Sequence, residues 1–188
     1  VVGTRVRGGP GVSRAAALEA PLAARRAEAE RVAVVGALAA TTMLFASLVS
    51  AYLVRRSFTD WRANEALWPV VLLVCGAAAS AGIEAASRSA SHRVAGLRVL
   101  GLFSAAYLSG AVLVIASIVK GPSGLASPHD AFVALLLGVH AVHALLGMMF
   151  AKQALRDASL ASLSLVRLVT HFLTLMLFGI VFVLFGLR

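Results

Sequence analysis

The sequence is poor in the residues that soluble proteins use to form disulfides, bind metals or cover their surface. Its single cysteine, Cys75, lies within an apolar segment, which excludes a disulfide framework and a cluster of metal-bound thiolates. Charged residues make up only 13% of the 188 residues, whereas hydrophobic residues make up 60% and the mean hydropathy is +0.92. A soluble domain of this length needs more polar surface, so the composition predicts an integral membrane protein.

Acidic residues are outnumbered by basic ones: the sequence has 8 Asp and Glu against 17 Lys and Arg, a formal net charge of +9. Glu84 is the only acidic residue well inside an apolar segment. No ladder of charged groups crosses the membrane, which argues against a self-contained proton pump or ion-coupled transporter. The sequence also lacks a phosphate-binding loop, a Ser/His/Asp set and paired carboxylates, so we expect no catalytic residues. Its basic residues lack an RNA-binding motif and interleaved aromatics, so we expect no nucleic-acid partner.

Five apolar segments follow a basic N-terminal stretch and define the predicted architecture. Residues 1–31 are rich in Gly, Ala and Arg, and we expect a flexible basic arm in which a short helix can form near Glu19–Arg31. Each apolar segment is close to the ~20 residues that cross a hydrocarbon core of ~30 Å. Because the connections are short, residues 32–188 are predicted to form an all-α, up-and-down bundle of five transmembrane helices. The predicted spans are residues 32–54, 68–86, 95–119, 131–152 and 166–187.

Lysine and arginine are distributed unequally between the two ends of this predicted bundle. The arm and the loops on its side carry twelve of these residues, and the opposite side carries five. Basic residues are enriched on the cytoplasmic side of membrane proteins. The count therefore predicts a cytoplasmic N-terminus and a C-terminus on the opposite, external side.

Three histidines lie inside the predicted spans: His140 and His143 in the fourth, and His171 in the fifth. An unpaired polar group in hydrocarbon costs several kcal/mol, so each imidazole needs a partner. His140 and His143 share one helix face, and we expect the histidines to hydrogen-bond neighbouring helices where glycines permit close approach. A proton relay is the functional alternative. The glycines that suit this role are Gly76, Gly101, Gly110, Gly138, Gly147 and Gly179.

Cofactor ligation is a further interpretation of these histidines. His140 and His143 lie on adjacent turns and could not bind one haem iron from opposite faces, although His140 and His171 could. A zinc or di-metal site needs further ligands, and the fourth and fifth spans offer only Asp130 at the membrane edge. We therefore expect neither a metal site nor a cofactor-binding residue in this chain, with a bis-histidine haem as the alternative.

Charged residues near the ends of the spans are candidates for lipid and proton contacts. Glu84 is predicted to pair with Arg88 at i+4, and its functional alternative is a carboxylate that collects protons or contacts lipid. Arg55 and Arg56 follow the first span and are candidate partners for lipid phosphates, with a purely topological role equally open.

The fourth span resembles the penultimate helix of subunit III of the haem–copper oxidases, which carries a Thr-Gly-Phe-His-Gly-x-His pattern followed by a glycine. Here the stretch is Leu137–His143, with Gly147 in the matching place. The run Met43–Arg55 is similar to the family's Met-Phe-Phe…Ala-Tyr…Arg, and Thr170–Phe172 is similar to its Trp-His-Phe. Order and spacing hold over about residues 26–188. Five spans fit the shorter bacterial form, which lacks the first two of seven helices.

The sequence departs from the family pattern at two carboxylates. Thr41 stands where the family has a membrane-buried glutamate, and Thr174 stands where it has an aspartate after the last-helix histidine. Leu137 and Ala141 also alter the histidine pattern. The missing carboxylates weaken a role for this chain in conducting protons and favour, as an alternative, the related accessory subunit of nitric oxide reductases.

The resemblance implies a non-catalytic subunit of a cytochrome c or quinol oxidase in the bacterial inner membrane, with a periplasmic C-terminus. Haem and copper would lie in subunit I, and this chain would pack beside it in a complex that includes subunit II. It would hold phospholipid and support oxygen access, proton uptake and resistance to turnover inactivation, with no cofactor of its own. The alternatives are the nitric oxide reductase subunit, an independent bis-histidine haem cytochrome and a small transporter. The residues implied to fix helix packing are Gly138, His140, His143, Gly147 and His171.

Overall fold

The protein is almost entirely helical. A computed structural model describes residues 14–58, 67–89, 91–121, 124–157 and 160–186, and it is 94% helix with no strand in those ranges. A 3-10 turn precedes the fourth helix and a π-helical turn follows the fifth. The α-helices are α1 (Arg14–Arg56), α2 (Trp68–Arg88), α3 (Arg93–Lys120), α4 (Pro128–Asp157) and α5 (Leu160–Val181).

Each of the five helices contains a stretch that is long and apolar enough to cross a membrane. The predicted all-α membrane fold with five spans is therefore confirmed in helix number, length and composition. Helix starts follow local rules: Ser127 Oγ accepts a hydrogen bond from the Asp130 N–H at 3.4 Å, with Pro128 as the first helical residue, as predicted for a capped N-terminus. Trp68 opens α2, and α3 ends at Lys120, just before Gly121.

The chain divides into two compact units, residues 1–37 and 38–188. In the first unit, residues 14–37 are helical and form the beginning of α1. The observed helix therefore begins before Glu19 and continues past Arg31, the limits expected for a short helix. Residues 1–13 of the predicted arm lie outside the described residues, as do residues 59–66 after α1 and residues 187–188 at the C-terminus.

The helical segments of the second unit alternate in direction. Between α2 and α3 the contacts run in reversed order, because Leu72 meets Gly110 near one end and Gly82 meets Gly96 near the other. The same reversed order relates α2 to α5, α3 to α4, α4 to α5, and α1 to α4. The second unit is therefore an up-and-down helix bundle.

Buried side chains form three clusters that follow one another along this bundle. The first joins α1, α4 and the end of α5 around Tyr52 and Leu136, and the Tyr52 hydroxyl donates a hydrogen bond to the Leu184 carbonyl at 3.3 Å. The second surrounds Leu72 and Leu177. The third lies near the opposite end, between α2, α3, α4 and α5. Each cluster draws on at least three helices, so no pair of helices carries the core alone.

Helix α2 packs most tightly against α3 at two glycines that the sequence did not single out. A Cβ atom added to Gly82 would lie 2.8 Å from the Gly96 carbonyl oxygen, and one added to Gly96 would lie 2.6 Å from the Ala86 nitrogen. The prediction of close packing was wrong for Gly101 and Gly179, since no atom of another helix among the described residues lies within 4 Å of such a Cβ position.

Candidate functional site

His140 on α4 is only 3% exposed and connects three helices. Its Nε2 lies 2.8 Å from the Leu173 carbonyl oxygen of α5, and since a carbonyl only accepts, Nε2 carries the proton and donates. Its Nδ1 lies against the Tyr107 hydroxyl of α3, which therefore donates to it. Both ring nitrogens are satisfied, and the neutral imidazole joins α3, α4 and α5.

His143 shares a helix face with His140 but differs from it in hydrogen bonding. Its Nδ1 donates to the Val139 carbonyl of its own helix at 2.8 Å. The Phe45 ring of α1 lies 6.2 Å from the His140 ring and 6.0 Å from the His143 ring, which confirms that both histidines point to one side of α4. The predicted bond to a neighbouring helix is present for His140, whereas the bond recorded for His143 stays within α4.

The glycines flanking this pair have different surroundings. A Cβ atom on Gly147 would lie 3.3 Å from Leu173 Cδ1 and 3.4 Å from Val169 Cγ1, both on α5. A Cβ atom on Gly138 would make only an ordinary contact with Ile115, at 3.8 Å. Gly147 therefore lies closer to its neighbouring helix than Gly138 does.

Glu84 forms a second polar centre where α2 meets α5. Its Oε2 lies 2.8 Å from Arg167 Nε and 3.3 Å from His171 Nε2, and its Oε1 lies 3.3 Å from Arg88 Nε. The predicted pair with Arg88 at i+4 is confirmed. The contact between Glu84 and Arg167 was not predicted. The available signal was that Glu84 lies about one turn from the end of α2 and Arg167 about two turns from the start of α5, on the same side of the bundle.

A chain of hydrogen bonds leads from Glu84 into the bundle. The Thr174 hydroxyl donates to the Gly76 carbonyl at 3.2 Å, so Ser80, 2.8 Å from Thr174, must donate to it. Ser80 Oγ also lies 3.2 Å from His171 Nδ1, and His171 Nε2 lies 3.3 Å from the Glu84 carboxylate. His171 thus lies between Ser80 and Glu84, with one ring nitrogen facing each of them.

Thr41 and Thr174, the two threonines at which the sequence departs from the resembling pattern, are buried and partly buried. Thr174 bridges α5 to α2 through its hydroxyl group, which is a role that a neutral side chain fills. Thr41 on α1 is buried, at 7% exposed.

A cavity of about 50 Å³ lies between α2, α3, α4 and α5, and its lining includes Cys75, Gly76, Tyr107, His140 and Thr174. At roughly 10–15 Å³ per water, it has room for a few waters. A haem held by His140 and His171 would require each imidazole to give up one of its two hydrogen bonds.

The remaining predicted site residues lie at the other end of the bundle. The Arg55 guanidinium stacks over the Phe58 ring, with 4.9 Å from Cζ to the ring centroid, and Arg56 is half-buried at the end of α1. Among the residues that the structure describes, no three His, Cys, Asp or Glu side chains come together as metal ligands would.

Fold and site together define the class: a multi-pass helical membrane protein whose intramembrane polar side chains are bonded to backbone carbonyls and to one another. Comparison with known proteins found no matching family model, no similar curated protein and no similar solved structure.

Proposed function

We propose that this chain is a non-catalytic accessory subunit of a bacterial haem–copper oxidase, of the subunit III type. One observation carries the proposal: the second of the three segments that resemble that family packs against the first and hydrogen-bonds to the residue that follows the third. Phe45 of the first segment packs on His140 of the second, and His140 bonds to the Leu173 carbonyl, next to the third segment at Thr170–Phe172. If the three segments resemble the family because they serve one structural role, they are expected to be neighbours in the folded chain.

The chemistry of the polar groups supports a packing role over catalysis. His140 is saturated by Tyr107 and Leu173, and Thr174 and Ser80 are used to join α5 to α2. In such a subunit these residues hold the helices in a fixed arrangement. Haem, copper and oxygen reduction would then belong to the partner subunit I, with subunit II completing the complex.

Orientation and location form part of the proposal. The excess of basic residues on the side of the arm places the N-terminus in the cytoplasm and the C-terminus in the periplasm of a bacterial inner membrane. Glu84, Arg88 and Arg167 then lie at the cytoplasmic end, and Arg55 lies at the periplasmic end, where lipid phosphates are available to it.

An accessory subunit of a nitric oxide reductase is the second candidate. The observation in its favour is that Thr41 and Thr174 replace the two family carboxylates, which leaves both positions without an ionisable group. In either case the chain supports a larger haem-bearing partner and carries out no chemistry itself.

Respiration by membranes of the source organism separates the two candidates. Membranes with and without this chain are compared for oxygen consumption and for nitric oxide consumption during sustained turnover. We expect oxygen consumption to decline faster when the chain is absent, with nitric oxide consumption unchanged. Loss of nitric oxide consumption alone would overturn the oxidase assignment in favour of the second candidate.

An absorption spectrum of the purified chain tests the alternative that it is an independent bis-histidine haem cytochrome. Because both imidazoles that could bind haem are already hydrogen-bonded, we expect the chain alone to show no Soret band. A Soret band that is lost in His140→Phe would contradict the proposed function and favour a bis-histidine haem protein.

A further inference from the structure

Glu84 holds two arginines side by side on the surface formed by α2 and α5. Each guanidinium contacts the carboxylate through its Nε, at 2.8 Å for Arg167 and 3.3 Å for Arg88. Within the described part of the chain, neither guanidinium has a hydrogen bond to any other residue. The arginine side chains are 49% and 76% exposed, so their terminal NH₂ groups are available to an external acceptor.

The cluster carries more positive charge than Glu84 can neutralise. Arg88 and Arg167 place two cations around one carboxylate. The surplus of one positive charge favours an anion at this place. Arginine matches a phosphate particularly well, because its planar group offers several N–H donors in a fixed geometry.

The position of the cluster indicates where that anion comes from. Arg88 is the last residue of α2, and Arg167 lies about one turn into the apolar stretch of α5 that begins at Leu163. Both groups are therefore at the boundary between the hydrocarbon core and the headgroup region, where cationic side chains meet lipid phosphates.

The helix surface next to the cluster is apolar and exposed. His171, Leu175 and Phe178 follow one another at i, i+4 and i+7 on one face of α5. Leu175 is 68% exposed and Phe178 is 48% exposed. An acyl chain attached to a phosphate at Arg167 would run along this face toward the middle of the bilayer.

We infer that Arg88 and Arg167, positioned by Glu84, bind the phosphate of an anionic phospholipid such as phosphatidylglycerol. The site requires only this chain and the membrane, so it stands or falls independently of the proposed oxidase partner.

Binding of fluorescent phosphatidylglycerol to the full chain in neutral detergent tests the inference, with fluorescent phosphatidylcholine as the reference lipid. The measurement is made at ~0.5 M NaCl, where the Debye length is only about 4 Å and general attraction to a basic surface is screened. Wild type is expected to prefer phosphatidylglycerol under these conditions. Equal binding of the two lipids would overturn the inference.

Glu84→Gln gives the sharpest readout, because a built site and general electrostatics predict opposite signs. The substitution makes the cluster more positive, so general attraction would strengthen binding. In a built site the two guanidinium groups lose the carboxylate that positions them, and we expect binding to weaken several-fold. Stronger or unchanged binding by Glu84→Gln would contradict the inference.

Arginine variants supply the matched control. Arg167→Gln removes one charge-assisted hydrogen bond, and we expect about tenfold weaker binding. Arg98→Gln removes an exposed arginine near the same end of the bundle and is expected to change binding by less than about twofold. Equal losses in the two variants would overturn the site. Arg88→Gln, on the more exposed side chain, repeats the test if Arg167→Gln does not keep the wild-type melting temperature.

Inorganic phosphate distinguishes a lipid from a free anion. We expect ~0.1 M phosphate to displace little of the bound phosphatidylglycerol, because phosphate cannot use the apolar face at Leu175 and Phe178. Displacement by phosphate at the concentration at which unlabelled phosphatidylglycerol competes would refute the assignment to a lipid.

Discussion

At the scale of single residues, hydrogen-bond pairing decides what each intramembrane polar group does. His140 satisfies both ring nitrogens on two neighbouring helices, whereas the one bond recorded for His143 stays on its own helix. Sequence alone predicted that these histidines need partners and share a face. It did not identify Tyr107 as a partner, because a tyrosine in an apolar span can equally be an interfacial, lipid-facing or buried residue.

Substitution of the two histidines should therefore have unequal effects on stability. His140→Phe leaves the Tyr107 hydroxyl and the Leu173 carbonyl without their partner, and we expect it to lower the free energy of unfolding by about 1–3 kcal/mol. His143→Phe removes only a bond within α4 and should cost less than about 1 kcal/mol. Equilibrium unfolding in mixed micelles measures both. Equal losses would show that His140 is not a connecting residue.

Tyr107→Phe provides the pairwise check on His140. Because Tyr107 and His140 bond directly, their substitutions should not add, and a double-mutant cycle should give a coupling of roughly 0.5–1.5 kcal/mol. A coupling near zero would mean that the two side chains act independently.

At the scale of helices, the number and length of the elements follow from hydropathy, but their pairing does not. A membrane-spanning helix is apolar on all sides, so no amphipathic stripe marks the face that meets its neighbour. For this reason Gly101 and Gly179 were as plausible at a close contact as Gly82 and Gly96, and only the structure separates them. The Glu84–Arg167 contact escaped prediction likewise, because it depends on the packing of α5 against α2.

The α2–α3 contact should not tolerate a single added methyl group. Gly82→Ala and Gly96→Ala place a Cβ within 3 Å of the backbone of the facing helix, and we expect each to cost about 1–3 kcal/mol. Gly101→Ala is the matched control in the same helix as Gly96, with open space around its Cβ position. It should be neutral, or stabilising by up to about 1 kcal/mol through helix propensity. Melting temperatures of the three variants test this prediction. A loss for Gly101→Ala as large as for the other two would contradict the close α2–α3 contact.

At the scale of the whole molecule, composition was enough to indicate the class. The low content of charge and the five long apolar segments predicted a helical membrane protein, and the helices have that length and composition. The comparisons with known proteins add no constraint on function. The proposed function therefore rests on the sequence segments that the fold brings together, where Phe45 packs on His140 and His140 bonds to the Leu173 carbonyl.

The proposed orientation predicts opposite accessibility for two serines at opposite ends of the bundle. Ser57 follows α1 and Ser91 precedes α3, and both are exposed. In a Cys75→Ala background, Ser57→Cys should react with a membrane-impermeant maleimide in intact cells, since it faces the periplasm. Ser91→Cys should react only after permeabilisation. The reverse pattern would invert the proposed topology.

Purification of the tagged full chain from native membranes in mild detergent tests the central claim most directly. We predict that it copurifies with a large haem–copper protein of about twelve spans, identified by mass spectrometry, and that the complex shows a reduced-minus-oxidised haem spectrum. Recovery of a colourless chain without a haem-bearing partner would contradict the assignment as an oxidase subunit.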